Sequence, residues 1–222
     1  MCGRFTLTVD PAEAQETFTE YTFPQQFAPR FNIAPTQPIL VIPNDDQNTG
    51  DFLIWGLIPM WAKDPSIGNR LINARAETLE EKPAFRGSLK YKRCLILADG
   101  FYEWKGAPGR KTKTPYFIHM KDRKPFAFAG LWDSWSSPDG SQVKSCTIIT
   151  TAPNELMSIL HNRMPAILHP RDYARWLDPS PQTPDQLKPL IKPFPAGKMS
   201  AYPVSTLVNK PSVDNAELIQ PA

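Results

Sequence analysis

Cysteine is scarce in this 222-residue chain, and its scarcity excludes several classes of protein. The three cysteines, at positions 2, 94 and 146, are an odd number without metal-ligand spacing. This pattern argues against a disulfide framework and against a zinc site, so we expect neither a metal nor a cofactor. A reducing compartment fits best, which predicts a cytoplasmic protein, nucleoid-associated if the source is bacterial.

Long apolar runs are also missing, and so is a strong excess of charge. No stretch is long enough for a membrane span, and the polar start does not resemble a signal peptide. The 25 basic side chains nearly balance the 22 acidic ones, leaving a formal net charge of +3. This balance permits nucleic-acid binding without demonstrating it, so a nucleic-acid site must be a local concentration of arginine.

Proline is abundant, with 25 residues against 11 glycines. Such a composition favours short elements joined by rigid turns and argues against a helical bundle. No internal repeat or interdomain linker is evident. We therefore predict one α+β domain over residues 1–222, with mixed and antiparallel sheets in a barrel-like core and short flanking helices.

Local patterns place the individual elements. Asp10 and Pro11 predict the start of a helix that runs to about Glu20. The polar turn at 44–50 predicts a hairpin between its flanking strands. Residues 22–38 are predicted to be a loop, the proline-rich residues 178–195 a surface excursion, and the basic run 105–113 a solvated hairpin loop. Strands are predicted at 39–42, 52–56, 94–98, 116–119, 126–131, 146–150 and 202–205, and helices at 80–85, 154–160 and 170–177.

Cys2 carries the most distinctive chemistry. If Met1 is removed, Cys2 presents an α-amine and a thiol on adjacent carbons, with ordinary pKa values of about 8 and about 8.5. The amine can form a Schiff base with an aldehyde, and the thiolate can then close a thiazolidine ring. Arg4 would favour the thiolate and attract an anion. The alternative is that position two merely holds a small residue.

Two further residues suit proton transfer. Glu103 lies between Tyr102 and Trp104 directly after a buried-looking strand, where its charged form is disfavoured and it could exchange a proton near neutral pH. His161 follows a predicted helix and suits general acid or base catalysis. The alternatives are a strand-end carboxylate that faces water and an imidazole that caps the helix.

Several polar and aromatic residues suit binding. Asn73 could hold an amine or a hydroxyl, or simply end a strand by bonding its own backbone. Three arginines, Arg4, Arg75 and Arg163, could clamp phosphates, although scattered arginines are commonly solvated or ion-paired. Trp61 and Pro35 offer an apolar platform for nucleobases, whereas core packing is expected for Trp55 and Trp104.

Six ordered motifs together resemble the SRAP family, the SOS-response-associated peptidase domain proteins that process abasic sites. The resemblance covers essentially the whole chain. The motifs are Cys2-Gly3-Arg4-Phe5, Asn32-Ile33-Ala34-Pro35, Trp55-Gly56-Leu57-Ile58-Pro59, Ile72-Asn73-Ala74-Arg75-Ala76-Glu77-Thr78, Asp99-Gly100-Phe101-Tyr102-Glu103-Trp104 and His161-Asn162-Arg163-Met164-Pro165.

The resemblance implies a strand-rich α+β fold with a basic groove and a function in DNA damage. Cys2 would trap the aldehyde of an abasic site in single-stranded DNA as a thiazolidine, after Met1 is removed autocatalytically or by an aminopeptidase. Asn73 would position the amine, Glu103 would shuttle protons, and His161 would assist ring opening and reversal. Weak lyase activity, a monomeric state and replication-fork partners are further expectations. The DNA contacts would come from Arg4, Arg75, Arg163, Trp61, Pro35 and Asn32.

Two other classes of function remain open. An amidohydrolase that uses an N-terminal nucleophile would employ Cys2 against an amide, with its own amine as base. A nucleic-acid-binding module without covalent chemistry would function unchanged when Cys2 is replaced by alanine. Turnover of glutamine would favour the first alternative.

Overall fold

β-Strands dominate the fold, and the computed structural model describes residues 2–106, 109 and 112–222. The strands are β1 (Phe5–Leu7), β2 (Arg30–Ile33), β3 (Pro38–Pro43), β4 (Asp51–Trp55), β5 (Asn73–Arg75), β6 (Arg93–Ala98), β7 (Gly100–Lys105), β8 (Thr114–Met120), β9 (Phe126–Ser136), β10 (Gln142–Thr151), β11 (Met164–Pro165) and β12 (Met199–Pro203). The α-helices are α1 (Pro11–Thr17), α2 (Pro83–Tyr91), α3 (Glu155–Ser158), α4 (Tyr173–Leu177) and α5 (Pro184–Leu187). Short 3-10 helices span Pro65–Arg70, Ala76–Thr78, Pro170–Asp172, Lys188–Leu190, Ala196–Lys198, Thr206–Asn209 and Ala216–Ile219.

Five of the strands close into a barrel. The pairing runs from β10 through β4, β3, β6 and β9 and returns to β10. Only the β4–β10 pair within this ring is parallel. Every residue of β6 is buried, as expected for an apolar strand covered on both faces. Closure leaves each of these strands with a partner on both sides, which removes exposed edges.

The second sheet has five strands in the order β12-β8-β7-β1-β2. It packs on the barrel through aromatic rings, because Phe5 of β1 meets Trp55 at 5.2 Å and Phe128 at 5.8 Å between ring centroids. β1 lies between β7 and β2. The residues just before β1 therefore lie where the sheet meets the barrel.

The predicted fold class is confirmed by this strand-rich architecture with its barrel core and short helices. The predicted hairpin is confirmed as the antiparallel pair of β3 and β4. Trp55 is fully buried, as expected of a core residue. The short helix expected after Asp10 ends earlier than predicted, at Thr17.

Three local predictions were wrong. The helix predicted at 80–85 is α2, which begins at Pro83 because proline suits the first turn of a helix. The predicted loop at 22–38 contains β2, which pairs with β1. The predicted surface excursion at 178–195 instead buries Leu187, Ile191 and Phe194 against the core.

The basic loop predicted at 105–113 lies in part outside the described residues, although β7 and β8 on either side of it pair as an antiparallel hairpin. Within the described ranges, no helix is long and apolar enough to cross a membrane.

Candidate functional site

Cys2 is fully buried just before β1, and a side-chain amide holds its main chain. Asn73 Nδ2 donates a hydrogen bond to the carbonyl oxygen of Cys2 at 2.7 Å. Asn73 begins β5, whose parallel pairing with β10 places it opposite Ile148. The Oδ1 atom of Asn73 is buried, and the described part of the chain supplies it with no hydrogen-bond partner. Asn73 thus holds Cys2 and keeps one acceptor available for a further N–H or O–H group.

The thiol of Cys2 is protonated at neutral pH. Burial raises its pKa strongly, and the nearby Glu103 carboxylate raises the pKa further. The Sγ atom donates weakly to the carbonyl oxygen of Arg4 at 3.9 Å. The expectation that Arg4 would favour the thiolate was wrong, because burial and Glu103 dominate the pKa of the thiol. The Arg4 guanidinium donates instead to Asn32 and to the carbonyl oxygen of Val208.

Glu103 lies within electrostatic reach of both His161 and Cys2. Glu103 is buried in β7, and one of its carboxylate oxygens accepts from the Trp104 amide at 3.2 Å. Burial lowers the pKa of His161, opposed by the Glu103 carboxylate, so the imidazole is neutral near pH 7. Its Nδ1 accepts from the Arg163 amide at 3.0 Å, which leaves Nε2 to carry the proton.

These four residues form what we call the Cys2 cluster: Cys2, Asn73, Glu103 and His161. They come from the start of β1, from β5, from β7 and from the segment after α3. The cluster combines a nucleophile, an amide and two groups that can exchange protons. Such a set suits nucleophilic addition to a carbonyl group followed by proton transfer.

Arg163 forms a two-pronged ion pair with Glu77. Its Nη1 and Nη2 atoms donate to the two carboxylate oxygens at 2.7 and 2.9 Å, and Nη2 also donates to the carbonyl oxygen of Thr150 at 2.6 Å. These bonds lower the pKa of Glu77, with a smaller contribution from Arg75. Arg75 itself is exposed. Sequence reasoning missed Glu77, although it stands in the same motif as Asn73.

Arg4 and Asn32 are held by the C-terminal segment, residues 205–219. Arg4 Nη1 donates to Asn32 Oδ1 at 2.8 Å and to the carbonyl oxygen of Val208 at 2.6 Å. The Asn32 amide is fully buried and donates to the carbonyl oxygen of Val213 at 2.7 Å, while the Asn32 main-chain N–H donates to Asp214 at 3.0 Å. Sequence reasoning missed this segment, whose residues are remote from Arg4 along the chain.

Trp61 and Pro35 both keep part of their surface accessible to solvent. Trp61 is 56% exposed in a groove that it shares with Tyr91 and Arg86 of α2. Pro35 is half-buried and precedes Thr36, whose φ of 72° lies in the left-handed region. Both residues are accessible from outside the barrel, as a stacking platform requires.

No group of three or more potential metal-ligating side chains occurs among the residues described.

Comparison with known proteins identifies relatives over nearly the whole chain. A family model described as SOS response associated peptidase (SRAP) matches residues 1–211. The abasic site processing protein YoqW of Bacillus subtilis is 50% identical over 223 residues, covering 99% of each chain. The abasic site processing protein HMCES of Rattus norvegicus is 30% identical, covering 95% of this chain and 70% of its own. A crystal structure of a protein from Bacteroides thetaiotaomicron superposes with a TM-score of 0.89 at 27% identity, with both chains fully covered.

Proposed function

Because the chain belongs to the SOS response associated peptidase (SRAP) family, we propose that it processes abasic sites in single-stranded DNA by covalent capture through Cys2. The relatives named above are described as abasic site processing proteins. The observation that carries the proposal is the hydrogen bond from Asn73 Nδ2 to the carbonyl oxygen of Cys2, together with the buried Oδ1 of the same amide, to which no described residue donates a hydrogen bond. Once Met1 is removed, that acceptor is available to the new α-amine.

The first step opens the sugar. A closed abasic sugar is a hemiacetal, so a base must remove the proton of its hydroxyl while an acid protonates the ring oxygen. His161 and Glu103 are the two proton-exchanging groups of the Cys2 cluster, and His161 presents a protonated Nε2 in its neutral form. His161 is the donor in this scheme, and Glu103 accepts the hydroxyl proton.

The second step joins protein and DNA. The α-amine adds to the aldehyde carbon, and loss of one water gives a Schiff base. The thiol then adds across the carbon–nitrogen double bond: sulfur bonds to carbon and the thiol proton passes to nitrogen. Because the Cys2 thiol is protonated at rest, Glu103 relays this proton. Ring closure removes the imine that would otherwise drive β-elimination, so lyase activity stays weak and the strand stays intact.

The proposed path of the DNA strand follows the solvent-accessible side chains among the candidate DNA-binding residues. Arg75 is exposed and takes a phosphate beside the lesion, and Trp61 and Pro35 take neighbouring bases. Arg163 reaches a phosphate as its pair with Glu77 loosens. Arg4 acts next to Cys2, with Asn32 holding it in place. Binding weakens as salt rises, because phosphate contacts dominate.

The proposal also covers the biological setting. The protein acts as a monomer in the cytoplasm, on the nucleoid if bacterial, beside replication-fork proteins that expose single strands. Met1 leaves either by the chemistry of the Cys2 cluster itself or through an aminopeptidase, and His161 also assists reversal of the crosslink.

A denaturing gel tests the capture. The purified protein, with loss of Met1 verified by intact mass, is incubated with a single-stranded oligonucleotide that contains one abasic site. We expect a heat-stable shifted band that disappears with Cys2→Ala and persists with Cys146→Ala, a matched control because Cys146 is also buried. Absence of the band from a protein whose Cys2 is the N-terminus would refute the proposal. Glutamine hydrolysis by the same sample would then favour the amidohydrolase alternative.

A further inference from the structure

A cavity of about 440 Å³ lies at the end of β8 away from the Cys2 cluster. The β8 residue that lines it is Met120, whereas Glu103 pairs with Tyr116 on the same strand. Four residues of an extended strand separate the two positions, roughly 13 Å at about 3.3 Å per residue. The cavity is therefore distinct from the site that handles the abasic lesion.

The floor of the cavity is apolar and aromatic. Phe126, Leu168, Tyr173 and Phe194 contribute buried side chains. The ring of His169 lies against that of Phe194, with centroids 4.7 Å apart. The volume falls within the range of roughly 300–1,000 Å³ typical of ligand pockets. Such a floor fits a planar or branched apolar group.

The rim of the cavity is basic. Three exposed lysines line it, Lys121, Lys124 and Lys198, and the main-chain N–H of the first donates to the carbonyl oxygen of the last at 2.9 Å. The only acidic side chain among the lining residues is Asp122, whose carboxylate accepts from the Lys124 amide within its own turn at 3.2 Å. The excess of positive charge favours an anionic partner.

We propose that this cavity is a docking site for an acidic peptide segment of a partner protein, with one aromatic side chain anchored on the floor. Carboxylates of the segment form ion pairs with the rim lysines, and its aromatic ring packs on the floor near His169. A nucleotide fits less well, because the floor has few groups to bond the edge of a base: the hydroxyl of Tyr173 already accepts from the Ala127 amide at 3.2 Å. Because none of the lining residues belongs to the Cys2 cluster, a partner can dock while DNA occupies the cluster.

Fluorescence anisotropy with the full chain tests the proposal. The probe is a fluorescein-labelled peptide, Asp-Asp-Asp-Ala-Phe, and the control peptides carry alanine in place of phenylalanine or lysines in place of the aspartates. We expect binding that weakens at least tenfold for either control peptide. The double variant Lys124→Glu/Lys198→Glu should weaken binding of the probe at least tenfold. The matched double variant Lys63→Glu/Lys82→Glu, also at exposed positions, should leave it unchanged.

Competition experiments test whether the cavity binds the peptide rather than a nucleotide or DNA. We expect that neither deoxyadenosine monophosphate nor an intact single-stranded oligonucleotide displaces the peptide, and that saturating peptide leaves the crosslink to abasic DNA unchanged. Displacement by the nucleotide or by the oligonucleotide would overturn the proposal, since the cavity would then be a nucleotide subsite or part of the DNA path. No binding of the probe at millimolar concentration would overturn it as well. The binding and displacement of the peptide are independent of whether Cys2 forms a crosslink, so they test this proposal even if the proposed function fails.

Discussion

The barrel and the five-stranded sheet hold their arginines in different ways. In the barrel, the fully buried guanidinium of Arg93 donates to five main-chain carbonyls around the C-terminal ends of α2 and α4. In the sheet, Arg4 donates to the side chain of Asn32 and to the C-terminal segment, two residues from Cys2. The first arrangement anchors helices, whereas the second orders the surroundings of a reactive group. The hydrogen-bond partners of an arginine, rather than its burial alone, therefore distinguish the two arrangements.

The largest effect is expected from Arg93→Met. Burial lowers the pKa of Arg93 to about 10, so it remains charged and serves the negative ends of two helices. Several carbonyls would lose donors worth about 1 kcal/mol each, so we expect a loss of about 3 kcal/mol and a fall in Tm of about 10 °C. Calorimetry measures the fall, with the exposed Arg171→Met as control. At low temperature, where the variant is folded, it should still crosslink to abasic DNA. Loss of crosslinking there would contradict the view that Arg93 only anchors helices.

A second prediction concerns Asp214, which accepts hydrogen bonds from the main-chain amide of Asn32 and from Arg30 Nε. Asp214→Ala should loosen the Asn32–Arg4 arrangement and slow crosslinking about tenfold, equivalent to about 1.4 kcal/mol. Asp139→Ala, which also removes an aspartate that accepts a main-chain amide, is the control and should have no effect on the rate. Single-turnover kinetics separate a slower rate from a smaller active fraction. A smaller active fraction at an unchanged rate would show that Asp214 only stabilises the fold.

A third prediction concerns His119 in the five-stranded sheet, which should make the stability of the protein depend on pH. Burial lowers the pKa of His119, which is 5% exposed on β8. The unfolded chain then binds the proton more readily, so the free energy of unfolding falls as pH drops from about 7 to about 5. We expect His119→Gln to reduce this fall by at most about 1 kcal/mol. Urea denaturation at the two pH values measures it, and an unchanged slope would contradict the prediction.

The smallest effect is expected at Thr36, a β-branched residue with a φ of 72° beside Pro35. Thr36→Gly relieves left-handed backbone strain and should stabilise the protein by up to about 1 kcal/mol. Asp46→Gly, at a φ of 62°, should gain less because aspartate tolerates this region better. Thermal denaturation compares the two variants. A loss of stability at Thr36 would show that its side chain contributes more than its strained backbone costs.

Local chemistry made much of the fold and the Cys2 cluster predictable. The continuous apolar run of β6, the polar turn between β3 and β4 and the proline content were sufficient for a strand-rich fold. Glu103 and His161 stood out as polar residues in apolar surroundings. Their assigned roles stay predictions, because only the crosslinking experiment tests them.

Long-range partners could not be predicted. Arg163 and Glu77 are 86 positions apart, and Arg4 and Val208 are 204 apart. No local pattern encodes such pairs, since they depend on how the strands are ordered in the sheets. The parallel contact of β4 with β10, which closes the barrel, is of the same kind. Sequence therefore predicted the reactive groups better than the contacts that hold them.

The complete burial of Cys2 governs when its thiol can react. A buried, protonated thiol is slow towards soluble oxidants and alkylating agents, because the thiolate is the nucleophile. The rate at which the thiol reacts then depends on access of the reagent to Cys2 and on removal of the thiol proton. In the proposed capture, the thiol therefore stays unreactive until an aldehyde reaches the Cys2 cluster.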